Sequence, residues 1–467
     1  MRKFRTLLGA TLAGACALAV VPGTASAAPA APQQAAAIDD TTGAFYPLAP
    51  ARLLDTRSGL GAPAGAIGAT KKVDLQVAGR GGVPATGVGA VVLNVTITGP
   101  TSSSFVTAYP AGEARPNASS INFPKGWLGS NNVTVKLGSG GKVSFYNHAG
   151  STHVVVDVVG FYAADNTMTN RNGGEYQAYV PERMFDTRYD GTGKMPANSW
   201  IDYVIDFGPE NPNVRSLVIN LTAVSPAKAG FLTAWSGAGS MPTASTVNYG
   251  AGKVVPNLAF VQTRPCYEDW CYAEGFAGAP MFRVYTSQSA HFVTDLVGMM
   301  DDGTLEYGLR FKPMSPTRIA DSRIGQGYQG MLYPGSVRKV ATPPALLTDT
   351  TDVLAMNMTA VAPTSNTVIT VWPFGYGDLF PQPGTSNLNP AAGQTVSGAV
   401  LSPIGPASAT PPFAFNTHNL SGNVHMIADV VGTFYYPEPV SATAAATLKA
   451  GKTAPVAGKA SRASTGS

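Results

Sequence analysis

Pro50-Ala-Arg52-Leu-Leu-Asp55-Thr-Arg57 and His153-Val-Val-Val-Asp157-Val-Val-Gly160 open and close a stretch of chain that returns twice more. The opening recurs as Pro181-Glu-Arg183-Met-Phe-Asp186-Thr-Arg188 and Pro316-Thr-Arg318-Ile-Ala-Asp321-Ser-Arg323, at spacings of 131 and then 135 residues. The closing recurs as His291-Phe-Val-Thr-Asp295-Leu-Val-Gly298 and His425-Met-Ile-Ala-Asp429-Val-Val-Gly432. Between them lie Asn94-Val-Thr96, Asn220-Leu-Thr222 and Asn357-Met-Thr359, then Phe105 to Tyr109, Phe231 to Trp235 and Val368 to Trp372. A Ser-x-x-Asn pair follows in each, at Ser119 and Asn122, Ser245 and Asn248, Ser386 and Asn389. A period near 130 is too long for a solenoid unit or a propeller blade and suits a domain with its own core, so three tandem domains are expected.

Within the first repeat, β-rich runs bounded by Gly, Pro, Asn and Ser come every ten to fifteen residues: 52–56, 72–77, 88–98, 105–109, 119–123, 132–137, 142–147 and 152–162. About eight short strands in such a length describe an all-β sandwich, plausible as a jelly roll, and no stretch shows a capped 3.6-residue apolar period. Gly and Pro number 52 and 37 among 467 residues, which also disfavours helix. The expected organisation is a signal peptide at 1–27, a flexible segment at 28–44, repeats at 45–163, 178–302 and 303–436, a linker at 164–177, a shorter one at 301–306, and a disordered tail at 437–467 rich in Ala, Thr, Ser, Gly and Lys.

Export is read from the first residues, where Arg2, Lys3 and Arg5 precede an apolar run from Leu7 to Val21 and Ala25-Ser26-Ala27 offers a cleavage site. The run is too short for a membrane span, and no stop-transfer segment follows. The formal charge of +4 is carried by the ends. Removing Arg2, Lys3, Arg5, Lys449, Lys452, Lys459 and Arg462, with Glu438 counted in the tail, leaves 24 basic against 26 acidic residues. A basic face for nucleic acid therefore has no support, and with 12% charged residues there are few groups for acid–base chemistry.

The repeated charges suggest a structural use. In each repeat two arginines and two aspartates sum to zero, and an Asp flanked by valines in a closing strand is costly unless paired. Ion-pair clusters are expected from Arg52, Asp55, Arg57 and Asp157, from Arg183, Asp186, Arg188 and Asp295, and from Arg318, Asp321, Arg323 and Asp429. His153, His291 and His425, four residues before the closing Asp, read as strand-end histidines with a hydrogen-bond partner and not as metal ligands. The repeated Asn of the N-x-T triplets is expected to bond backbone at a bulge. No nucleophile elbow, zinc motif, phosphate loop or calcium loop is present. Carboxylates paired from distant strands leave a glycan-cleaving hydrolase as the least favoured alternative. No catalytic residue, metal or cofactor is assigned.

Cys266 and Cys271, separated by four residues in an exported chain, are expected to form a local disulfide. The intervening loop is unique to the middle repeat, and Tyr267, Trp270 and Tyr272 make it the first candidate ligand surface. The equivalent aromatics Tyr109, Trp235 and Trp372 are further candidates, with core packing as the competing reading.

The opening and closing motifs resemble those of a domain found singly or in tandem in secreted proteins of high-GC Gram-positive (actinobacterial) bacteria, often beside extracellular hydrolase modules. The resemblance covers residues 45 to 436. It implies a secreted accessory β-domain of no established activity, so no site residue is carried over. The chain departs from the pattern at Ser322, in an insertion around residues 402–410, in the cysteine loop, and at Met299-Met300, which replace an aromatic pair. The expected function is a secreted, non-catalytic binding protein for a cell-envelope or extracellular carbohydrate, located outside the cell or on its wall. The alternative is a structural or adhesive surface protein with secreted or surface protein partners. Neither nucleic acid nor a membrane span is expected.

Overall fold

A computed structural model describes residues 38–438, 455–459 and 463–464. The proposed signal peptide lies outside the described residues. In the first repeat the strands are β1 (Phe45–Asp55), β2 (Lys71–Gln76), β3 (Val88–Thr98), β4 (Ser104–Pro110), β5 (Ile121–Phe123), β6 (Leu128–Lys136), β7 (Lys142–Asn147) and β8 (His153–Ala163). The second repeat has β9 (Tyr176–Asp186), β10 (Ser199–Asp206), β11 (Ser216–Val224), β12 (Gly230–Trp235), β13 (Val247–Tyr249), β14 (Val254–Gln262), a two-residue β15 (Arg264–Pro265), the short helix α1 (Asp269–Glu274), β16 (Pro280–Thr286) and β17 (His291–Met300). The third has β18 (Arg310–Asp321), β19 (Ser336–Ala341), β20 (Thr351–Val361), β21 (Ile369–Pro373), β22 (Val396–Pro403), β23 (Ala414–Asn419) and β24 (His425–Tyr435). Two tail pieces, β25 (Val456–Lys459) and β26 (Ala463–Ser464), complete the list.

Each repeat is an antiparallel double sheet. The first pairs its strands as β1-β8-β3-β6 and β2-β7-β4-β5, the order of a jelly roll. The second repeats it as β9-β17-β11-β14 and β10-β16-β12-β13. The third does so as β18-β24-β20-β22 and β19-β23-β21, with the missing fourth strand reduced to a bridge between Ile369 and Leu388.

The two sheets of a repeat meet different surroundings, and the period of two shows why. On β3, Val91, Leu93, Val95 and Ile97 fill the repeat's own core, while Ala90 and Val92 on the opposite face join a separate central core. The same split separates Leu217, Ile219 and Leu221 from Val218, and Leu354, Met356 and Met358 from Val353 and Ala355. The inner sheets are thus buried on both faces, so β3 and β8 read as nearly continuous apolar runs, a pattern more familiar from parallel sheets. The outer sheets face solvent on one side, and β2 and β19 carry exposed charges on that side.

The central core joins all three repeats into a closed ring. Tyr162 lies 4.3 Å from Phe311 by ring centroid, Phe434 lies 4.8 Å from Tyr176, and Phe45 lies 5.4 Å from Phe260. The last glycine of each closing motif makes room for these rings: a Cβ on Gly160 would come within 2.4 Å of Phe45, on Gly298 within 2.4 Å of Tyr176, and on Gly432 within 2.2 Å of Phe311. The starts of the three opening strands also bond in a cycle. Phe45 exchanges backbone bonds with Gly174, Tyr176 exchanges them with Leu309, and Phe311 donates to Gly43.

Several boundaries differ from the sequence expectation. Residues 38–44, expected to be flexible, are held by Thr41, whose hydroxyl donates to the Asp165 carbonyl and whose amide donates to Asn166. Tyr176 and Gln177, assigned to a linker, are buried residues of β9. At the second junction, Asp301 is buried and accepts from the Glu175 and Gly303 amides and from Gln177. Of the tail expected to be disordered, residues 439–454, 460–462 and 465–467 lie outside the described residues, and Val456–Lys459 is a strand paired with β10. Its residues are small, which lowers hydrophobicity, but backbone pairing to an open sheet edge needs no large side chain.

Candidate functional site

The opening and closing motifs meet across the first pairing of each inner sheet. Arg52 sits opposite Asp157, Arg183 opposite Asp295 and Arg318 opposite Asp429. In all three, the Arg Nε lies 2.8 Å from the closing Asp. The same arginines stand 3.8, 3.6 and 3.4 Å from Asp55, Asp186 and Asp321. These aspartates are clasped in turn by Arg57, Arg188 and Arg323 at 2.6, 2.6 and 2.7 Å. Burial pushes the closing carboxyls of Asp157, Asp295 and Asp429 above their ordinary value, and the arginine opposite each opposes that push. Asp55 and Asp321 are instead held below it, chiefly by the hydrogen bonds from Arg57 and Arg323.

The histidines bind the hydroxyl of the opening motif: His153 Nδ1 is 3.0 Å from Thr56, His291 3.0 Å from Thr187, and His425 2.8 Å from Ser322. That explains why the motif takes Thr or Ser before its last Arg. The same hydroxyl also accepts from a backbone amide of the closing strand.

The asparagine of each N-x-T triplet differs from expectation. It bonds backbone, but in the neighbouring repeat and not at a local bulge. Asn94 donates to the Ser245 carbonyl at 2.5 Å, Asn220 to Ser386 at 2.5 Å, and Asn357 to Ser119 at 2.6 Å, which closes the cycle. The Ser-x-x-Asn pairs shape the acceptor: Asn122, Asn248 and Asn389 each bond the hydroxyl of their own serine. Arg52 also reaches across to the Thr243 carbonyl.

Two residues at these seams were not singled out from sequence. Asn257 donates to the Asn94 side chain at 2.9 Å, and Asn131 donates to Asn357 at 3.0 Å. The signal for them is a polar amide within a strand of otherwise buried character. Gly398 holds the corresponding register position in the third repeat. A Cβ there would lie 2.5 Å from Leu388, so the third seam is apolar where the other two carry an amide pair. Small clefts lie beside Asn357, Ser119 and Asp429 and beside Asn94, Ser245 and Asn257. Their polar walls are these same seam residues.

Of the aromatic candidates, Tyr109, Trp235 and Trp372 are buried. They cannot form an exposed stacking platform. The middle-repeat loop is different. Cys266 and Cys271 are joined in a disulfide and both are buried. The segment between them is not loop alone, because α1 begins at Asp269 and runs to Glu274, followed by Gly275, whose φ of +80° suits a helix C-cap. One turn of helix turns the aromatics to opposite sides. Trp270 is half-buried and packs with Phe276 against Val204, Met281 and the cysteines. Tyr267 and Tyr272 remain 62% and 61% exposed, with ring centroids 6.4 Å apart and planes within 28°. Glu268, Asp269 and Glu274 stand exposed around them, Glu268 paired with Arg264 at 2.6 Å.

No family model and no curated protein matches the chain. Solved structures similar to it include a chain from the work titled "The Triple Jelly Roll Fold and Turret Assembly in an Archaeal Virus". That chain is 7% identical, with 86% of this chain and 98% of that one covered and a TM-score of 0.16. A chain from the atomic structure of Sulfolobus Turreted Icosahedral Virus is 8% identical, with 85% and 92% covered and the same score. Likeness at that level carries no argument about function. The jelly-roll assignment rests on the strand order itself.

Proposed function

We propose that the protein is a secreted, non-catalytic binding module that recognises a cell-envelope or extracellular carbohydrate through Tyr267 and Tyr272. The observation that carries this is the exposed, near-parallel tyrosine pair on a disulfide-held turn. Two flat rings offer stacking area for the apolar faces of sugar rings, and the neighbouring carboxylates offer acceptors for hydroxyls. A turn already held in shape loses less conformational entropy on binding. The non-catalytic part is supported by the use of the repeated carboxylates in ion pairs. Secretion is supported by the sequence of the first 27 residues and by the resemblance of the repeat motifs.

Pull-down on fractionated cell-wall polysaccharides tests the reading. Tyr267→Ala and Tyr272→Ala should each weaken retention about tenfold or more, within the range for aromatic hot spots, and leave the melting temperature unchanged. Retention that survives both changes, or no retention of the unaltered protein, overturns it. Release of label from a labelled polysaccharide would favour the hydrolase alternative. A surface protein with protein partners remains the second reading, favoured by Tyr189 and Ile324, two exposed apolar side chains directly after the last Arg of the second and third opening motifs.

A further inference from the structure

Each outer sheet has an edge strand in the same place: β2 in the first repeat, β10 in the second and β19 in the third. Among the described residues, β2 and β19 pair on one side only, and they carry Lys71 and Lys72 or Arg338 and Lys339, charges that guard an open edge against further pairing. The strand β10 has no lysine or arginine in Ser-Trp-Ile-Asp-Tyr-Val-Ile-Asp, and its edge is covered by β25 and β26.

The covering segment is held at defined points. Val456, Ala457, Gly458 and Lys459 pair with Asp206, Ile205, Val204 and Tyr203, and Ala463 pairs with Trp200. A Cβ on Gly458 would come within 2.3 Å of the Phe276 ring, so only glycine fits under that ring as placed. Lys459 Nζ lies 3.2 Å from the Asp190 carboxylate, donates to Thr192 at 2.8 Å and also reaches the Asp190 carbonyl. Phe276 and Trp270 belong to the small cluster over the disulfide that also includes Val204 of β10. The wall of the groove is therefore the inner side of the same loop that sets the middle repeat apart.

We propose that the β10 edge, walled by the Cys266–Cys271 loop, is a strand-acceptor site whose ligand is the chain's own C-terminal segment 455–459. It takes an extended peptide that has glycine beneath Phe276 followed by a basic residue opposite Asp190. Main-chain bonds supply the docking and the two side-chain requirements supply the selection, the usual division in strand addition. The site does not depend on carbohydrate recognition, because Tyr267 and Tyr272 are exposed and neither belongs to the apolar cluster that walls it.

Limited trypsin digestion of the full chain tests the assignment. Cleavage after Lys459 should be at least about tenfold slower than in the free peptide of residues 453–464, because a paired strand must open before it is cut. Ala457→Pro, which removes a backbone donor within β25, should bring the two rates together, as should reduction of the disulfide. A synthetic peptide of residues 453–464 should bind the Ala457→Pro chain and, in excess, expose Lys459 of the unaltered chain, while the same peptide with Gly458→Val should do neither. Equal cutting at Lys459 in the unaltered protein and in the free peptide overturns the proposal, as does a peptide without effect on either chain. Protection of Lys459 that grows with protein concentration would overturn the intramolecular assignment in favour of a second copy's tail.

Discussion

Asp157 shows how one residue is used at the residue scale. It is fully buried between valines, yet Arg52 satisfies it at 2.8 Å and the Ser245 backbone of the next repeat adds a hydrogen bond. Asp157→Ala would leave the partly exposed Arg52 with only Asp55 and the Thr243 carbonyl as partners, and a loss of about 1–3 kcal/mol is expected in denaturant unfolding. An unchanged midpoint would mean that the pair contributes nothing net. The need for a partner was legible in sequence, because a carboxylate in an apolar strand has few affordable alternatives and two arginines recur in step with it. Trp270 was not so legible. Its place between two cysteines suggested an exposed anchor, whereas a single helical turn, invisible to a search for long amphipathic periods, rotates it inward and leaves the two tyrosines outside. Trp270→Ala is accordingly expected to lower stability and loosen the docked tail.

At the scale of the element, the inner strands carry two messages on alternate residues. Val91, Leu93 and Val95 hold the repeat together, and Ala90, Val92, Asn94 and Thr96 face the other repeats. The strand ranges are readable because Gly, Pro, Asn and Ser punctuate them; β3 and β7 fall where the alternation places them. What lies across the second face is not readable, since a period of two separates the faces without naming the neighbour. This is why Asn94 looked like a local bulge residue. Asn94→Ala removes the donor to Ser245 and leaves Asn257 without its amide acceptor, so a loss of about 1–3 kcal/mol is expected. Asn220→Ala, at the seam where Gly398 replaces the second amide, should cost less; equal losses in a paired melting comparison would contradict the asymmetry. Gly160→Val should also destabilise, by about 1–3 kcal/mol, because Phe45 must leave its position in the central core.

For the whole molecule, the shared aromatic core means that one repeat alone would expose Phe45, Tyr162, Ala90 and Val92 to water. Residues 45–163 expressed alone should self-associate, while the full chain should unfold in one cooperative transition by both calorimetry and fluorescence; three separable transitions would count against the shared core. Its stability should also depend on pH in two windows. Asp301, pushed up to about 7 by burial, keeps its proton in the folded state after the unfolded chain has released it, so its contribution is complete below about pH 4 and is lost as pH rises toward 7. Asp55 and Asp321, held below their ordinary value, have the opposite sign: their contribution is present above about pH 4 and is lost in more acid solution. Asp157, Asp295 and Asp429, also pushed up by burial, act in the same sense as Asp301, so Asp301→Asn should reduce the fall between pH 4 and 7 in a melting series and leave the acid limb in place. The ring closes through three seams that are alike in backbone and unlike in side chains, with Asn131 and Asn257 at two of them and Gly398 at the third. In a trimer of identical chains every substitution is made three times, and a change harmful at one corner is harmful at all of them. Covalent fusion removes that constraint, so one corner can carry a disulfide, an exposed aromatic pair and a paired C-terminal strand without the other two having to tolerate them.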